Sequence, residues 1–161
     1  MSDHRWPMLL FFLFLCYGAA GLGSIWTSSS VGTWYAELRK PSFNPPSWIF
    51  APVWSVLYFL MALSAWLVWR RAGWSGARFA LALFFVQLAL NVAWSGLFFG
   101  LRRPGTALVG ILILLSTIVA TVLAFRPVSL LAFWLMVPYA LWVAFAALLN
   151  FKIWQLNLGA A

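Results

Sequence analysis

The chain has 161 residues, 65% of them hydrophobic and 7% charged, where ordinary soluble proteins carry roughly a quarter of their residues as charges. Its formal net charge is +8, with ten Lys and Arg against two acidic residues, Asp3 and Glu37. This balance excludes an ordinary soluble enzyme, a disordered chain and a disulfide-stapled secreted domain, since Cys16 is the single cysteine.

The basic residues are too few and too scattered for a phosphate-tracking surface, so no nucleic-acid partner is expected. They read instead as headgroup anchors at the ends of membrane spans. Between them lie neutral intervals that predict five transmembrane helices near residues 7–26, 46–69, 79–100, 105–125 and 129–151. Each is long enough to cross a hydrocarbon core of about 30 Å. Helices are required, because backbone amides in lipid must be paired within their own segment and five spans cannot close a β-barrel. The expected architecture is therefore an all-α, multi-pass membrane protein with one five-helix domain over residues 1–161.

The first span is too long for a removable signal peptide and lacks its basic start and small-residue cleavage site. Gly18, Gly21 and Gly23 on it suggest a close-packing face. A connection of residues 27–45 follows, longer than a tight turn needs. Trp34, Tyr35 and Phe43 within it predict a lid folded back onto the protein. On the second span Trp54, Tyr58 and Met61 share one helical face. Gln87, Asn91 and Trp94 do the same on the third, where amides are costly against lipid and should point inward. For Asn91 the spacing leaves interhelical glue and ligand contact equally open. Ala89, Ala93, Gly96 and Gly100 form a small-residue seam on that span, suited to a homodimer or to an intramolecular contact. On the fifth span the inward stripe is Pro138, Trp142 and Phe145, with Ala146 and Leu149 close by. Pro138 also frees a backbone carbonyl in mid-helix.

The predicted spans hold no Asp, Glu or His; the one histidine is His4. Paired carboxylates, a metal-ligand cluster, a Ser-His-Asp arrangement and a proton relay are thus not expected, which argues against an ion-coupled pump. No metal and no required cofactor are expected. Positive charge does not orient the protein, because five Lys or Arg fall on each predicted side.

Twelve tryptophans need explaining. Trp6, Trp26, Trp48, Trp69, Trp74 and Trp154 fall near span ends, where indoles anchor at the interface; Trp66 lies within a turn of Trp69. Trp34, Trp54, Trp94, Trp134 and Trp142 remain. A planar apolar ligand stacked among them is the expectation.

Three stretches carry a resemblance: WYAELRKPSFNPPSWIFAPVWSVLYFLM (34–61), QLALNVAWSGLFFG (87–100) and PYALWVAFAALLNFKIW (138–154). Together they resemble the TspO/MBR family of tryptophan-rich sensory and translocator proteins, once called peripheral benzodiazepine receptors, over nearly the whole chain. The resemblance implies a five-helix bundle, often dimeric, with a pocket under the long loop for porphyrins, sterols and benzodiazepine-type drugs. Bacterial members look like regulators of tetrapyrrole metabolism and stress responses. It further implies ligand-binding roles for Tyr35, Ala51, Trp54, Tyr58, Asn91, Trp94, Trp142 and Ala146. Trp54 and Trp142 also match two tryptophans implicated in light-dependent oxidative breakdown of protoporphyrin. The cholesterol motif of animal members is broken here, with Phe151 and Gln155 at its Tyr and Lys/Arg places. Three functions are carried forward. The first is a porphyrin-binding membrane sensor, in a bacterial envelope, with Arg39 or Lys40 for the propionates. The second is a photo-oxidative enzyme using Trp54 and Trp142. The third is a carrier of hydrophobic metabolites.

Overall fold

The computed structural model describes residues 5–159, so Asp3 and His4 lie outside the described residues. Helix α1 covers Arg5–Val31, a four-residue helix α2 covers Trp34–Glu37, and α3 runs over Phe50–Gly76 after a 3-10 turn at Ser47–Ile49. Helix α4, Arg78–Ser95, continues as a π-helical turn at Gly96–Gly100; α5 is Pro104–Phe125 and α6 is Leu130–Leu156. Five of these elements are long and apolar enough to cross a membrane. The protein is a multi-pass integral membrane protein.

The helix ends follow local chemistry. Pro104 opens α5, where its missing N–H costs nothing, and the Ser129 hydroxyl accepts a hydrogen bond from the Ala132 amide at 3.2 Å to cap α6. Gly73 has φ 66°, a left-handed conformation that breaks α3 near its end and turns the chain toward α4.

The 27–45 boundaries expected for the long connection are corrected at its start. Helix α1 continues to Val31, because its hydroxyls bond back to carbonyls of the preceding turn: Ser24 to Gly21, Thr27 to Gly23 and Ser29 to Trp26. These bonds let a polar TSSS stretch remain helical. The outer end of α3 is likewise longer than residues 46–69.

Around the bundle the neighbours run α1, α3, α6, α5, α4 and back to α1. One end of this ring is solid. Phe12, Phe84 and Phe125 are fully buried there, with Phe84 ring centroids 6.2 Å from both of the others. Met61 and Met136 are also completely enclosed.

Two small-residue expectations change. Gly18 and Gly21 have no neighbour that a Cβ would meet, so within one chain they form no packing face. Gly96 and Gly100 instead seat Trp26: a Cβ on Gly100 would lie 2.9 Å from the indole. The seam on α4 is thus partly filled from within by α1, and Trp26 is a packing residue as well as an end anchor. Ala89 and Ala93 stay exposed.

Candidate functional site

At the end of the bundle nearest the long connection the helices do not fill the centre. A cavity of about 530 Å³ opens between α1, α3, α4 and α6 beneath α2. Its wall follows from the residues that face it. Gly23, Ser24, Thr27 and Ser28 of α1, Ala51 and Ser55 of α3, and Ser95 of α4 are all small. Rings stand between them. All eight residues expected at a ligand site, Tyr35, Ala51, Trp54, Tyr58, Asn91, Trp94, Trp142 and Ala146, line this one cavity.

The aromatic walls come from three helices. On α3 the Trp54 ring lies 5.6 Å from Tyr58 and 6.2 Å from Tyr139 of α6. On the neighbouring α6, Trp142 packs 6.0 Å from Phe50 and 5.6 Å from Phe145, and its buried Nε1 has no hydrogen-bond partner among the described residues. On α4 the Trp94 ring lies 5.7 Å from Phe98, while its Nε1 donates to Asn150 Oδ1 at 3.1 Å. The Asn150 amide nitrogen donates in turn to the Pro104 carbonyl at 2.7 Å, holding Trp94 against the start of α5.

The roof is Tyr35, buried and packed 5.7 Å from Phe99. Its hydroxyl donates to Asn44 Oδ1 at 3.1 Å, and the Lys40 ammonium sits 4.9 Å from its ring. Burial raises the Tyr35 pKa above the ordinary tyrosine value, partly offset by the Asn44 bond, so the roof is neutral at physiological pH. The connection is pinned from the far end of α6. The Arg39 amide donates to Asn157 Oδ1 at 3.2 Å, and Asn157 Nδ2 donates back to the Arg39 carbonyl at 3.0 Å. Lys40 spends its ammonium on the carbonyls of Ala36 and Leu38, whereas the Arg39 side chain is exposed.

Beneath the cavity runs a chain of buried polar groups. Tyr58 donates to Asn91 Oδ1 at 2.8 Å, Asn91 Nδ2 donates to the Tyr139 oxygen at 2.9 Å, and Tyr139 donates to Gln87 Oε1 at 2.8 Å. Asn91 is therefore interhelical glue and cavity wall at once. Polar groups this deep pair with one another, since an unpaired one is costly in an apolar interior.

The structure separates residues that spacing had grouped. Met61 and Gln87 are enclosed below the cavity and do not line it, and Pro138 faces outward on α6. Of the five tryptophans without an interfacial explanation, Trp54, Trp94 and Trp142 reach the cavity. Trp34 packs edge-on to Phe98 at 5.8 Å instead, and Trp134 is 59% exposed on the outer face of α6. Trp66, grouped with the end anchors, is buried and donates from Nε1 to the Arg5 carbonyl at 2.9 Å.

Sequence reasoning missed Tyr139, Asn150, Asn157 and the α1 hydroxyls. For Tyr139 and Asn150 the signal was available: both are polar groups inside an apolar span, the criterion that selected Gln87 and Asn91.

Comparison with known proteins agrees with this architecture. The model of the TspO/MBR family matches residues 11–155. The tryptophan-rich protein TspO of Archaeoglobus fulgidus is 43% identical over 135 residues, covering 84% of this chain and 87% of that protein. The human translocator protein is 44% identical over 128 residues, 78% of this chain and 76% of its own length. The tryptophan-rich sensory protein of Cereibacter sphaeroides is 39% identical over 152 residues, 94% of this chain and 92% of that one. With the match extending through all five spanning helices and every wall of the cavity, the chain belongs to the TspO/MBR family.

Proposed function

We propose that this protein is a membrane sensor that binds porphyrins of the protoporphyrin IX type, and related flat hydrophobic molecules, and so regulates tetrapyrrole metabolism or a stress response. One observation carries the reading: the eight expected contact residues converge on a single aromatic-walled cavity of about 530 Å³ under a tyrosine roof. That volume falls in the range of small-molecule sites, roughly 300–1,000 Å³. Indoles on three helices offer rigid contact area to a planar guest at little entropic cost. The exposed Arg39, four residues after the roof residue Tyr35, is the partner for a propionate. Exposed Ala89 and Ala93 are the small-residue surface for a homodimer. The break in the sterol motif, with Phe151 and Gln155 at its Tyr and Lys/Arg places, favours a bacterial envelope.

The test is a titration of protoporphyrin IX followed by tryptophan fluorescence in the dark. Replacing Trp54 and Trp142 together by Phe should weaken affinity by about tenfold, since each loses part of a ring contact. Unchanged quenching and affinity would overturn the assignment of this cavity.

A second reading is favoured by the presence of both Trp54 and Trp142 on the same cavity from different helices. Under light, with dioxygen as oxidant, the bound porphyrin would be oxidised through these indoles. Loss of porphyrin absorbance on illumination, abolished by either Trp→Phe substitution, distinguishes this reading from binding alone.

A further inference from the structure

We propose that Gln87 sets the direction of a reversible hydrogen-bond relay, and thereby decides whether the cavity floor offers a ligand an acceptor or a donor. The proposal rests on the cavity reading above, and it concerns a residue that does not line the cavity.

The relay links α3, α4 and α6 through Tyr58, Asn91, Tyr139 and Gln87, with separations of 2.8, 2.9 and 2.8 Å. Every link joins a hydroxyl to an amide, and each of these groups can both donate and accept. Turning an amide by half a turn exchanges its oxygen and nitrogen, so the same three separations support either sense.

In the first sense Tyr58 donates to Asn91, Asn91 to Tyr139 and Tyr139 to Gln87 Oε1. The Tyr58 proton is committed inward, so its oxygen can only accept from a ligand. The far end is left imperfect: Gln87 Nε2 is buried and has no partner among the described residues. In the second sense Gln87 Nε2 donates to Tyr139, Tyr139 to Asn91 Oδ1 and Asn91 Nδ2 to Tyr58. The Tyr58 hydroxyl hydrogen is then released toward the ligand, and the group without a partner at the far end becomes the Gln87 carbonyl. Orphaned N–H groups are rarer in proteins than under-satisfied carbonyls. The first sense thus carries the costlier orphan, whereas the second leaves a free hydroxyl at the floor until an acceptor arrives. Neither sense satisfies every group, which is the condition for a ligand to select between them.

Tyr58 and Asn91 both line the cavity, so the relay ends where a guest would lie. Gln87 and Tyr139 are fully enclosed and act only through them. Gln87 is accordingly a positioning residue. Its replacement by Met removes the amide while keeping the length of the side chain. The Tyr139 hydroxyl then keeps a full-strength partner only by donating to Asn91 Oδ1, which holds the relay in the second sense.

Three planar tricyclic probes of one outline separate the possibilities: fluorenone carries an acceptor, carbazole an N–H donor, and fluorene neither. Binding is measured by equilibrium dialysis against protein in nanodiscs, with protein-free nanodiscs as the blank. Wild-type protein should bind fluorenone and carbazole each about threefold to tenfold more tightly than fluorene, the worth of one hydrogen bond. Gln87→Met should keep the affinities for fluorenone and fluorene, while carbazole falls to the level of fluorene. Tyr58→Phe should abolish both preferences. Retained fluorene binding reports an intact cavity in each variant; should Gln87→Met lose it, Gln87→Leu provides the same comparison with no polar atom at all. An unchanged carbazole-to-fluorenone ratio in a Gln87 variant that still binds fluorene would overturn the relay alone. Failure of the wild type to bind any of the three would overturn the cavity reading, and the relay with it.

Discussion

At the end of the bundle that carries Arg5 and Arg126, Phe12, Phe84 and Phe125 leave no gap, and Met61, Ile118 and Met136 are buried completely. At the opposite end α1, α3, α4 and α6 leave about 530 Å³ between them. The contrast lies in side-chain volume along each helix. Helix α1 turns Phe12 and Cys16 toward the solid end, then Gly23, Thr27 and Ser28 toward the cavity. Helix α3 presents Ala51 and Ser55 before it reaches Leu57 and Met61. Since helices five to a ring pack at nearly constant spacing, small residues in one half leave volume that large ones fill in the other. Rigidity at one end thus supports a site at the other, without any change of fold between them.

The largest effect should come from breaking the solid end. Phe84→Ala removes a fully buried ring that meets Phe12, Phe85 and Phe125. It should cost about 3–5 kcal/mol, read as a fall in thermal midpoint in detergent. The opposite experiment fills the hollow end. Ala51→Phe puts a ring on an exposed position of the cavity wall. It should reduce porphyrin affinity at least tenfold while changing stability by no more than about 0.5 kcal/mol. A large stability loss from Ala51→Phe would mean that the two ends are not independent.

The smallest effect concerns the roof. Tyr35 has its pKa raised above the ordinary value by burial, so its neutral, hydrogen-bonded form is the folded one. The stabilisation of the roof is therefore fully present below about pH 10, the ordinary tyrosine value, and is lost as pH rises through the raised value. Ligand dissociation should accelerate a few-fold across that alkaline range. Tyr35→Phe should remove the pH step while giving a uniformly faster dissociation, which distinguishes Tyr35 from the neighbouring Lys40.

Much of the site was legible in the chain, and particular residues show why. Trp54 and Tyr58, or Asn91 and Trp94, stand at helical spacing, and an amide in an apolar span has to face inward. Trp134 and Trp142 show the limit. Both lie on one helix, yet Trp134 faces outward and Trp142 lines the cavity. The helix presents apolar residues on all sides, so hydrophobicity does not mark which face is inside. The same ambiguity misassigned Pro138 to the inward stripe. Helix α1 was expected to end too early because hydropathy falls at the polar TSSS stretch, whereas here hydroxyls bond to their own helix carbonyls and the helix runs on.

The sequence by itself determined that the chain spans a membrane, the number of spans and the residue types that line the cavity. Length and apolarity act one helix at a time, and unpaired amides in lipid leave no alternative to helices. Only the tertiary structure decided that Gly96 and Gly100 receive Trp26, that Asn157 pins the roof, and that Tyr58, Asn91, Tyr139 and Gln87 form one chain of hydrogen bonds. Each of these joins groups from different helices. Their pairing depends on how the helices rotate against one another, which the periodicity of a single span does not record.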